Sequence, residues 1–541
     1  MNLLTNFPQG FEPTTQQVDL LQQIDRAFAS GKKFVICCAP TGSGKSFLSK
    51  TLANSAHDPS AEFVRLIESY DAFRQDQYGD FTHREECEKQ PAFGAFALTI
   101  TKNLQDQYQQ LFDDTGVCKG KSNYLCTVDS KFSVDVAPCI YLTDLKDTCI
   151  AKNTCPYISA RSNMLVSKFA ALNYSMFMSL PDHVKRREYI VCDEASELED
   201  ELVKRYSREL NYKVLKKLNI NPATVPTNNY TKFGAWLGGT FSDILATNIH
   251  EVQARLKRKK NETQLADRQR YTLLKNLHIS IQTTIDTWGE CEYLIERTEE
   301  SITLKPLRVD NLSKYVFDFA DRVLLMSATI IDHASFAKTL GIKDYTYIEV
   351  DSTFDPKQAP IFCNGRIKLN HKNIRENLPR IARQIADICK HHTDVKGVIH
   401  THTHEITEYL RNVLTGPRFI FREAGVNNEQ IIKQHLESSD NTVLVSPSLT
   451  LGVDLKDELA RFQVLVKAAY LPLGDERIKR LFKEDSNWYQ NKMLNNLIQA
   501  CGRGVRSRND HCVTYVLDGC ITDAVLRCKH KLPKYFLKRF A

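Results

Sequence analysis

A short apolar segment that runs directly into a glycine-rich loop constrains this chain more than any other feature. Residues 34–38 read Phe-Val-Ile-Cys-Cys, and residues 39–46 read Ala-Pro-Thr-Gly-Ser-Gly-Lys-Ser. The apolar segment predicts a buried strand, and the residues after Gly44 predict a helix. Loops of this kind cradle phosphate oxygens with backbone N–H groups at the N-terminus of the helix. The sequence therefore predicts a nucleotide-phosphate site on a parallel α/β sheet.

The residue types in the loop predict how each would act on a nucleotide. Lys45 would reach the β and γ phosphates, and the Ser46 hydroxyl would ligate Mg²⁺. Ala39 stands where the general pattern has a glycine. A chance match is the alternative, but the apolar strand in front of the loop argues against it. The predicted nucleotide-binding positions between the strand and Lys45 are Thr41, Gly42, Ser43 and Gly44.

A second apolar run, Tyr189–Cys192, ends in the two acids Asp193 and Glu194. Asp193 is predicted to hold Mg²⁺ through its water shell, and Glu194 to polarise the attacking water. An acidic pair after a strand is often only a charge pair at a helix N-terminus. The phosphate loop upstream favours the catalytic interpretation. Lys45, Asp193 and Glu194 are therefore predicted to hydrolyse a nucleotide.

The C-terminal half contains a pair of arginines that would complete such a site. Arg503 and Arg506 are three residues apart and would share one helical face, with Gln499 one turn earlier. Arginine spreads positive charge over a transferring phosphoryl group. A surface salt bridge is the alternative. If two α/β domains face each other across the nucleotide, these arginines come from the second domain.

The remaining pattern predicts more than one domain, because 541 residues exceed a single hydrophobic core. Short apolar runs typical of strands buried on both faces recur in both halves, with helical spacing between them. Residues 55–92 lack a strand pattern and predict an elaborated loop. Residues 206–308 predict a mainly helical insertion. The strand-like runs are Phe34–Cys38, Ala95–Ile100, Tyr189–Cys192, Val323–Met326, Val398–Ile399, Val443–Val445, Val464–Val466 and Val513–Leu517.

Five of the sixteen cysteines lie close together, between the phosphate loop and the acidic pair. The chain starts without a secretory pattern and has no apolar run of bilayer length, so we expect a reducing compartment and free thiols. Four thiolates suit an iron–sulfur cluster, and none of the spacings is that of a zinc ribbon. Structural zinc and simply buried thiols are the alternatives. The five are Cys118, Cys126, Cys139, Cys149 and Cys155.

The formal net charge of +7 is modest, so the local clusters say more about partners. Residues 529–539 read Lys-His-Lys-Leu-Pro-Lys-Tyr-Phe-Leu-Lys-Arg and mix bases with aromatic rings. This mixture favours nucleic acid, and a solvated tail is the alternative.

Taken in order, the motifs resemble those of superfamily 2 helicases, and specifically the XPD/DinG-like iron–sulfur DNA helicases. Gln17 is similar to the adenine-reading glutamine, and Ser327-Ala328-Thr329 to the motif that couples the sites. Ser196 departs from the family, which has histidine at the end of its acidic box. Four other segments match motifs of the family. They are Thr101–Gln107 for the grip on DNA, Asp193–Ser196 for the acidic DEAH box, Leu451–Asp454 for the glycine–aspartate motif of the second motor domain (Gly452 and Asp454), and Gln499–Arg506 for the last motif.

Two further segments narrow the resemblance to the iron–sulfur members. Lys119–Cys126 resembles the segment with the first cluster cysteine, and Cys155-Pro156-Tyr157 the segment with the last. The resemblance implies a [4Fe-4S] cluster on Cys126, Cys139, Cys149 and Cys155. Cys118 is then the spare thiol, although an exchange of Cys118 for Cys126 stays open.

The resemblance also implies an architecture of two RecA-like P-loop motor domains. Motor domain 1 would comprise residues 1–115, 161–205 and 309–349, and motor domain 2 residues 350–541. An iron–sulfur insertion would occupy 116–160 and a mainly helical arch 206–308. ATP and Mg²⁺ would drive movement from 5′ to 3′ on single-stranded DNA.

We therefore expect an ATP-dependent DNA helicase that acts as a monomer on single-stranded or forked DNA. We expect it in the cytoplasm or on the nucleoid, away from membranes. One alternative is a translocase that strips proteins from DNA without unwinding it. Another is a nucleotide-gated DNA-binding module without turnover. RNA as the track also stays open, because contacts to a phosphate backbone distinguish the two sugars poorly.

Overall fold

The computed structural model describes residues 2–40, 42–76, 79–258, 265–422, 428–447, 457–502, 504–505 and 510–541. The chain divides into two compact units. The first comprises Met1–Val35, Ser46–Leu325 and Ala337–Thr346, and the second comprises Ile36–Lys45, Met326–Phe336 and Tyr347–Ala541. Within the described residues, no helix is both long enough and apolar enough to cross a membrane.

The described part of the chain contains helices throughout its length. They are α1 Thr15–Ala29, α2 Lys45–Ser55, α3 Ala61–Glu68, α4 Arg84–Glu88, α5 Lys102–Leu111, α6 Thr143–Ala151, α7 Pro156–Val166, α8 Tyr174–Phe177, α9 Leu198–Tyr206, α10 Tyr212–Lys217, α11 Tyr230–Trp236, α12 Ser242–Arg258, α13 Leu265–Asp286, α14 Lys314–Phe317, α15 His333–Thr339, α16 Ile374–His391, α17 His404–Val413, α18 Asn428–Glu437, α19 Glu476–Glu484, α20 Ser486–Cys501, α21 Gly519–Cys528 and α22 Lys534–Leu537.

The strands alternate with these helices in both halves of the chain. They are β1 Phe34–Cys38, β2 Ala95–Thr99, β3 Gly116–Val117, β4 Phe169–Asn173, β5 Arg187–Asp193, β6 Arg208–Asn211, β7 Tyr293–Arg297, β8 Ser301–Pro306, β9 Ala320–Ser327, β10 Tyr345–Glu349, β11 Ile361–Ile367, β12 Gly397–His400, β13 Phe419–Phe421, β14 Val443–Ser446, β15 Phe462–Leu465 and β16 Val513–Asp518.

The first sheet has seven strands in the order β10-β1-β9-β5-β2-β4-β3. Strand β2 pairs in parallel with both β4 and β5, with Ala97 opposite Ala171 and Val191. Every residue of β5 is buried, which explains the continuous apolar run at 189–192. Because parallel strands end at one edge of the sheet, Asp193 emerges at the carboxyl edge.

The second sheet has six strands in the order β11-β16-β15-β12-β14-β13, and each of its five pairs is parallel. Strand β12 lies in the middle, with Val398 opposite Leu444 of β14 and Gln463 of β15. Helix α16 packs its apolar stripe into the core of this sheet through Leu378 and Ile385. The prediction of a mixed α/β fold with parallel sheets is therefore confirmed.

Residues 206–308 contain the predicted helices and, in addition, a small antiparallel sheet that the sequence pattern does not predict. Its order is β6-β8-β7, with Leu210 opposite Ile302 and Ile295 opposite Leu304. The apolar faces of α12 and α13 pack in one core with this sheet, through residues such as Val252 and Ile281.

Within the described residues, the segment 55–92 adds no strand to the sheets, as the sequence pattern indicates, and it includes the helices α3 and α4. Helix α3 begins at a Ser60 cap, whose hydroxyl accepts the Phe63 N–H at 3.0 Å. The imidazole of His183 hydrogen-bonds with the carbonyl of Ala72 at 2.7 Å, and its ring centre lies 4.6 Å from that of Phe81, with the ring planes tilted by 55°. These contacts hold the segment against the rest of the first unit. The sequence pattern does not reveal the contacts of Ala72 and Phe81, because their shared partner His183 lies about a hundred residues downstream.

Arg187, the first residue of β5, is a fully buried cation with aromatic neighbours. Its guanidinium donates to the carbonyl of Leu165, in the last turn of α7, at 2.6 Å. The rings of Phe93 and Phe96 lie 4.0 and 3.9 Å from the guanidinium carbon. No carboxylate among the described residues pairs with it, and burial lowers its pKa. The side chain therefore caps α7 and joins that helix to β5.

Candidate functional site

The predicted phosphate loop has the strand–loop–helix geometry that its sequence indicates. Strand β1 is buried from Val35 to Cys38, and α2 begins at Lys45. Gly42 and Gly44 have φ angles of +84° and +80°, which L side chains rarely adopt. A Cβ on Gly42 would also lie 2.5 Å from the ring of Phe354. The backbone conformation at both glycines therefore requires glycine.

The loop also contains a buried polar group that is left without a partner. The hydroxyl of Ser43 finds no hydrogen bond within the described part of the chain, although the residue is only 4% exposed. A buried hydroxyl of this kind is costly unless a ligand satisfies it. This observation fits a phosphate held in the loop. Thr41 lies outside the described residues.

Helix α5 of the first unit brings a hydroxyl group and a carboxylate together through Tyr108. The Tyr108 phenol donates to Oδ2 of Asp193 at 3.3 Å and hydrogen-bonds with the hydroxyls of Ser46 and Ser49. Burial raises the Tyr108 pKa well above its ordinary value, and the charge of Asp193 raises it further. The phenol therefore stays protonated and holds these oxygens in place.

Hydroxyl and carboxylate oxygens are the donors that Mg²⁺ prefers, and Mg²⁺ usually takes one or two protein ligands besides substrate phosphates and water. Ser46 and Asp193 fit this requirement. The described residues contain no group of three or more histidines, cysteines or acids placed to hold one ion. The sequence analysis did not identify Tyr108, because only the fold brings it to Asp193, 85 residues downstream.

Glu194 has a left-handed backbone conformation at the end of β5, with φ of +51°. Its N–H donates to Oδ1 of Asp193 at 3.0 Å, and the Tyr174 phenol donates to the Asp193 carbonyl at 3.3 Å. A non-glycine residue in this region stores strain, which is commonest at functional sites. Both acids of the predicted pair therefore sit on a turn held by tyrosines. Ser196 is buried in the short turn that follows.

Gln17, the predicted adenine reader, has a structural role in this conformation. Its side-chain oxygen accepts the N–H of Thr14 at 2.9 Å, while the Thr14 hydroxyl accepts the Gln17 N–H at 3.3 Å. The two residues form a capping box at the start of α1. Contact between Gln17 and a base stays a prediction.

Four of the five clustered cysteines converge from separate elements of the first unit. Cys126 follows a bridge between Leu125 and Ser133, and Cys139 lies in the turn Pro138–Ile140. Cys149 is on α6, and Cys155 caps α7. Burial raises the pKa of the Cys139 thiol, and the nearby thiols of Cys126, Cys155 and Cys149 raise it further. The Cys139 thiol therefore lies near the other three.

Cys118 is not among the thiols that act on Cys139. Burial raises its pKa to about 11, while a hydrogen bond with Tyr124 and the charge of Arg161 act in the lowering direction. The described residues contain no group of three or more cysteines placed to hold one metal ion. Four thiolates are, however, a usual ligand set of an iron–sulfur cluster. The donor chemistry of Cys126, Cys139, Cys149 and Cys155 thus fits an iron–sulfur cluster.

Beside the cysteines lies a group of cations and aromatic rings that the sequence pattern did not reveal, which we call the cationic junction. It comprises Lys121, Lys146, Arg161, Lys275 and the rings of Tyr70, Phe73 and Tyr157. The Arg161 guanidinium lies 3.8 Å from the centre of the Phe73 ring and 5.1 Å from that of Tyr70. Lys146 lies 5.1 Å from the Tyr70 ring, and Lys121 5.7 Å from that of Tyr157.

The charges of the cationic junction repel one another. Loss of hydration lowers the pKa of Lys121, and the charges of Arg161, Lys275 and Lys146 lower it further. Although burial raises the pKa of Tyr70, Arg161 and Lys146 hold it below its ordinary value. No described carboxylate forms an ion pair with these four cations. A group of cations and ring faces without acids suits the phosphates and bases of a single strand.

The segment predicted to grip DNA adjoins this junction. Thr101 caps α5 by accepting the Leu104 N–H, and Lys102 donates to Asn123 at 3.0 Å. Lys119 pairs with Asp106 at 2.7 Å. The family-like segment 119–126 is therefore fastened to α5.

A crevice in the second unit lies at the carboxyl ends of β12, β14 and β15. Strand β12 is where the strand order changes direction, the usual place for a ligand in such sheets. His400 hydrogen-bonds with Gln463 at 3.3 Å, and His402 has a φ of +63°. The lining includes His400, His402, Leu465, Lys467, Met493 and Asn496.

Of the residues predicted in the second motor domain, only Gln499 is described. It is half-buried in the last turn of α20. Gly452, Asp454, Arg503 and Arg506 lie outside the described residues, so their predicted roles rest on the sequence.

Part of the C-terminal basic run is paired with acids of the second unit. Lys531 pairs with Asp332 at 2.8 Å, and Lys538 pairs with Asp351. The Lys534 N–H donates to Glu349 at 2.6 Å. The expectation that this run favours nucleic acid is weakened, because two of its cations are neutralised by acids of the same unit.

Comparison with known proteins agrees with this arrangement. Residues 391–538 match the helicase C-terminal domain family. A solved XPD helicase superposes on 96% of this chain and 99% of its own, with a TM-score of 0.60 and 15% identity. Xpd4 of S. tokodaii covers 95% of this chain and 98% of its own, with a TM-score of 0.55 and 14% identity. No curated protein matches the sequence significantly.

The fold is mixed α/β and matches that of solved XPD helicases over nearly their whole length. The match of residues 391–538 to the helicase C-terminal domain family agrees with this fold. The resemblance to XPD-like helicases that the motifs indicated is thereby confirmed at the level of the fold.

Proposed function

We propose that this protein is an ATP-dependent DNA helicase that moves from 5′ to 3′ along single-stranded DNA and separates duplex strands. The proposal rests on the hydrogen bonds by which the Tyr108 phenol connects Ser46 with Asp193. Ser46 follows the lysine of the phosphate loop, and Asp193 is the last residue of β5. Such a pair, on an XPD-like fold, is what metal-assisted phosphoryl transfer requires.

Each residue of the predicted nucleotide site would have its own role in ATP hydrolysis. Lys45 and the N–H groups of the loop would bind the β and γ phosphates of ATP. Ser46 and Asp193 would hold Mg²⁺, which supplies charge neutralisation at the phosphates. Glu194 would orient the attacking water and accept its proton.

The second motor domain would supply the remaining charge. Arg503 and Arg506 would contact the γ phosphate, with Gln499 orienting them or the water, and Gly452 and Asp454 would line the same cleft. Binding of ATP would close the two domains, and loss of the phosphate would open them. Repeated closure on a strand that crosses both domains produces directional movement.

The cationic junction would contact the strand in the first unit. Its four cations have no acid partners among the described residues, and they repel one another. Bound phosphates would offset this repulsion. Each phosphate contact releases counterions, which makes binding weaker at high salt. We propose that the protein acts as a monomer on single-stranded or forked DNA in a reducing compartment.

Cys126, Cys139, Cys149 and Cys155 would hold a [4Fe-4S] cluster. The cluster would tie the four cysteine-bearing elements at one point, and the domain at 116–160 would act as a wedge where the strands part. Iron and sulfide analysis of anaerobically purified protein tests this assignment. Cys149→Ser should lose iron and unwinding but keep its DNA-independent ATPase activity. Cys118→Ser is the matched control and should keep the iron.

The proposed activity is tested with a forked duplex and with ATP turnover. Lys45→Ala should abolish both hydrolysis and strand separation. If the wild-type protein displaces a bound protein from single-stranded DNA but leaves the fork intact, the protein is a translocase instead. If the wild type binds DNA in response to ATP without turnover, it is a nucleotide-gated binding module. Preference for an RNA fork over a DNA fork would reject DNA as the track.

A further inference from the structure

The C-terminal residues 531–539, which we call the C-terminal strap, contact the Ser327-Ala328-Thr329 turn within the second unit. The Tyr535 hydroxyl donates to the carbonyl of Ala328 at 2.5 Å, and Tyr535 is only 7% exposed. Another described donor to this carbonyl is the Cys38 thiol, at 3.7 Å. Thiols are weak donors, so the phenol provides the stronger hydrogen bond.

Three polar contacts hold the strap in place. Lys531 pairs with Asp332, five residues after Ser327, at 2.8 Å. Lys538 pairs with Asp351, and the Lys534 N–H donates to Glu349 at 2.6 Å. The ion pairs flank Tyr535 on both sides along the strap, so the phenol has little freedom to leave Ala328.

The other side of the turn contacts the strand that leads into the phosphate loop. The Ala39 N–H donates to the carbonyl of Ser327 at 2.9 Å. Inside the turn, the Ser327 hydroxyl lies 3.2 Å from that of Thr329 and accepts the Thr329 N–H at 3.3 Å. The turn is therefore held between the phosphate loop on one side and Tyr535 on the other.

We propose that Tyr535 is a positioning residue that fixes the orientation of this turn, and that the C-terminal strap thereby couples nucleotide turnover to movement on DNA. This inference rests on the proposed helicase function. Tyr535 does not touch ATP or DNA in this assignment; it acts through Ala328. The strap's cations serve this role by holding the phenol, not by binding nucleic acid.

The test compares Tyr535→Phe with Tyr489→Phe. Tyr489 is a matched control in the second unit, because it is 9% exposed and its hydroxyl donates to the carbonyl of Leu471 at 2.8 Å. ATP hydrolysed and base pairs separated are measured in one reaction. Tyr535→Phe should separate about fivefold fewer base pairs per ATP, the factor that one ordinary hydrogen bond is worth. DNA-free ATPase activity and thermal midpoint should match those of the control.

Equal ratios of base pairs to ATP in Tyr535→Phe, Tyr489→Phe and wild type would overturn the role of Tyr535 and leave the helicase assignment intact. Failure of the wild type to separate strands rejects the helicase assignment instead. In that case the role of Tyr535 is tested by the stimulation of ATPase activity by single-stranded DNA. The inference requires weaker stimulation in Tyr535→Phe than in Tyr489→Phe and wild type.

A second pair of variants covers the case in which Tyr535→Phe does not fold. Lys531→Gln removes one anchor of the strap and leaves the phenol, and Lys529→Gln removes an exposed neighbouring cation. Lys531→Gln should lower the ratio of base pairs to ATP, and Lys529→Gln should not. A drop of the same size in both variants would overturn the inference, because it would indicate a general effect of charge.

Discussion

The oxygen cluster around Tyr108 and the cationic junction around Arg161 lie in the same unit but satisfy their charges in opposite ways. Around Tyr108, the Asp193 carboxylate accepts the phenol and the Glu194 N–H. In the cationic junction, four cations face aromatic rings and no described carboxylate pairs with them. One group is organised before any ligand arrives, and the other is completed by a ligand.

This difference separates two kinds of binding site. A preorganised set of oxygens binds a small hard ion with little rearrangement, as catalysis requires. An unbalanced set of cations binds a polyanion and releases its counterions. The C-terminal strap shows that a basic sequence alone does not make a site of the second kind, because Lys531 and Lys538 are paired with acids.

The largest expected effect comes from Glu194→Gln, which removes the proton acceptor and leaves the cationic junction unchanged. We expect turnover of ATP to fall by about 10²-fold or more, because a positioned general base contributes at least that much. Affinity for single-stranded DNA should not change. Steady-state ATPase assays and fluorescence anisotropy measure the two quantities.

Glu209→Gln is the control for this variant, since Glu209 is exposed on β6. Turnover by Glu194→Gln close to that of the control would show that the acid pair is not catalytic.

Tyr108→Phe should produce the next largest effect, because it removes the hydroxyl shared by Ser46, Ser49 and Asp193. We expect a higher Mg²⁺ concentration for half-maximal turnover and a loss of about 1–2 kcal/mol in the free energy of unfolding. Tyr293→Phe removes a buried hydroxyl that bonds to Thr287 at 2.7 Å and serves as the control. The same Mg²⁺ dependence in both variants would contradict a role for Tyr108 at the metal.

Arg161→Gln tests the cationic junction. We expect weaker binding of single-stranded DNA and a salt dependence that is shallower by about 0.7 in its logarithmic slope, the value for one phosphate contact. DNA-free ATPase activity should be unchanged. Lys89→Gln, which removes an exposed ion pair with Glu85, is the control. An unchanged slope would exclude Arg161 from the DNA path.

The smallest expected effect is a pH dependence that arises from Lys121. Its pKa is lowered, so it loses its charge at a lower pH than an ordinary lysine. DNA affinity should therefore fall as the pH rises through this lowered pKa. In Lys121→Gln, the affinity should be a few-fold lower at a pH where Lys121 is charged, and it should fall less as the pH rises. Parallel pH profiles for the two proteins would contradict the assignment.

The strands that could be predicted were those buried on both faces. Strands β1, β5, β12 and β14 contain continuous apolar runs, and each lies inside its sheet with a strand on both sides. The antiparallel strands β6, β7 and β8 escaped prediction because they are only partly buried and contain charged residues. The pairing of β6 with β8 also joins segments more than eighty residues apart, as between Leu210 and Ile302, whereas β7 and β8 are neighbours along the chain.

The residues of the candidate site also divide into those that a local motif predicts and those that only the fold brings together. Ser46, Asp193 and Glu194 were predicted because their residue types and spacing follow a local motif. Tyr108 and Arg161 were not, because an aromatic residue and a basic residue on a helix have no distinctive pattern in the sequence. Their importance comes from partners that only the tertiary fold supplies, such as Asp193 for Tyr108 and Phe73 for Arg161.

The buried Arg187 makes a rigid joint between α7 and β5. Cys155 is the N-cap residue of α7, and Asp193 is the last residue of β5, so the guanidinium connects these two elements at their opposite ends. Breaking this joint would leave an unpaired cation buried between Phe93 and Phe96, at a high cost in free energy. The helix that follows the last clustered cysteine and the strand that ends in Asp193 are therefore held together as one rigid piece.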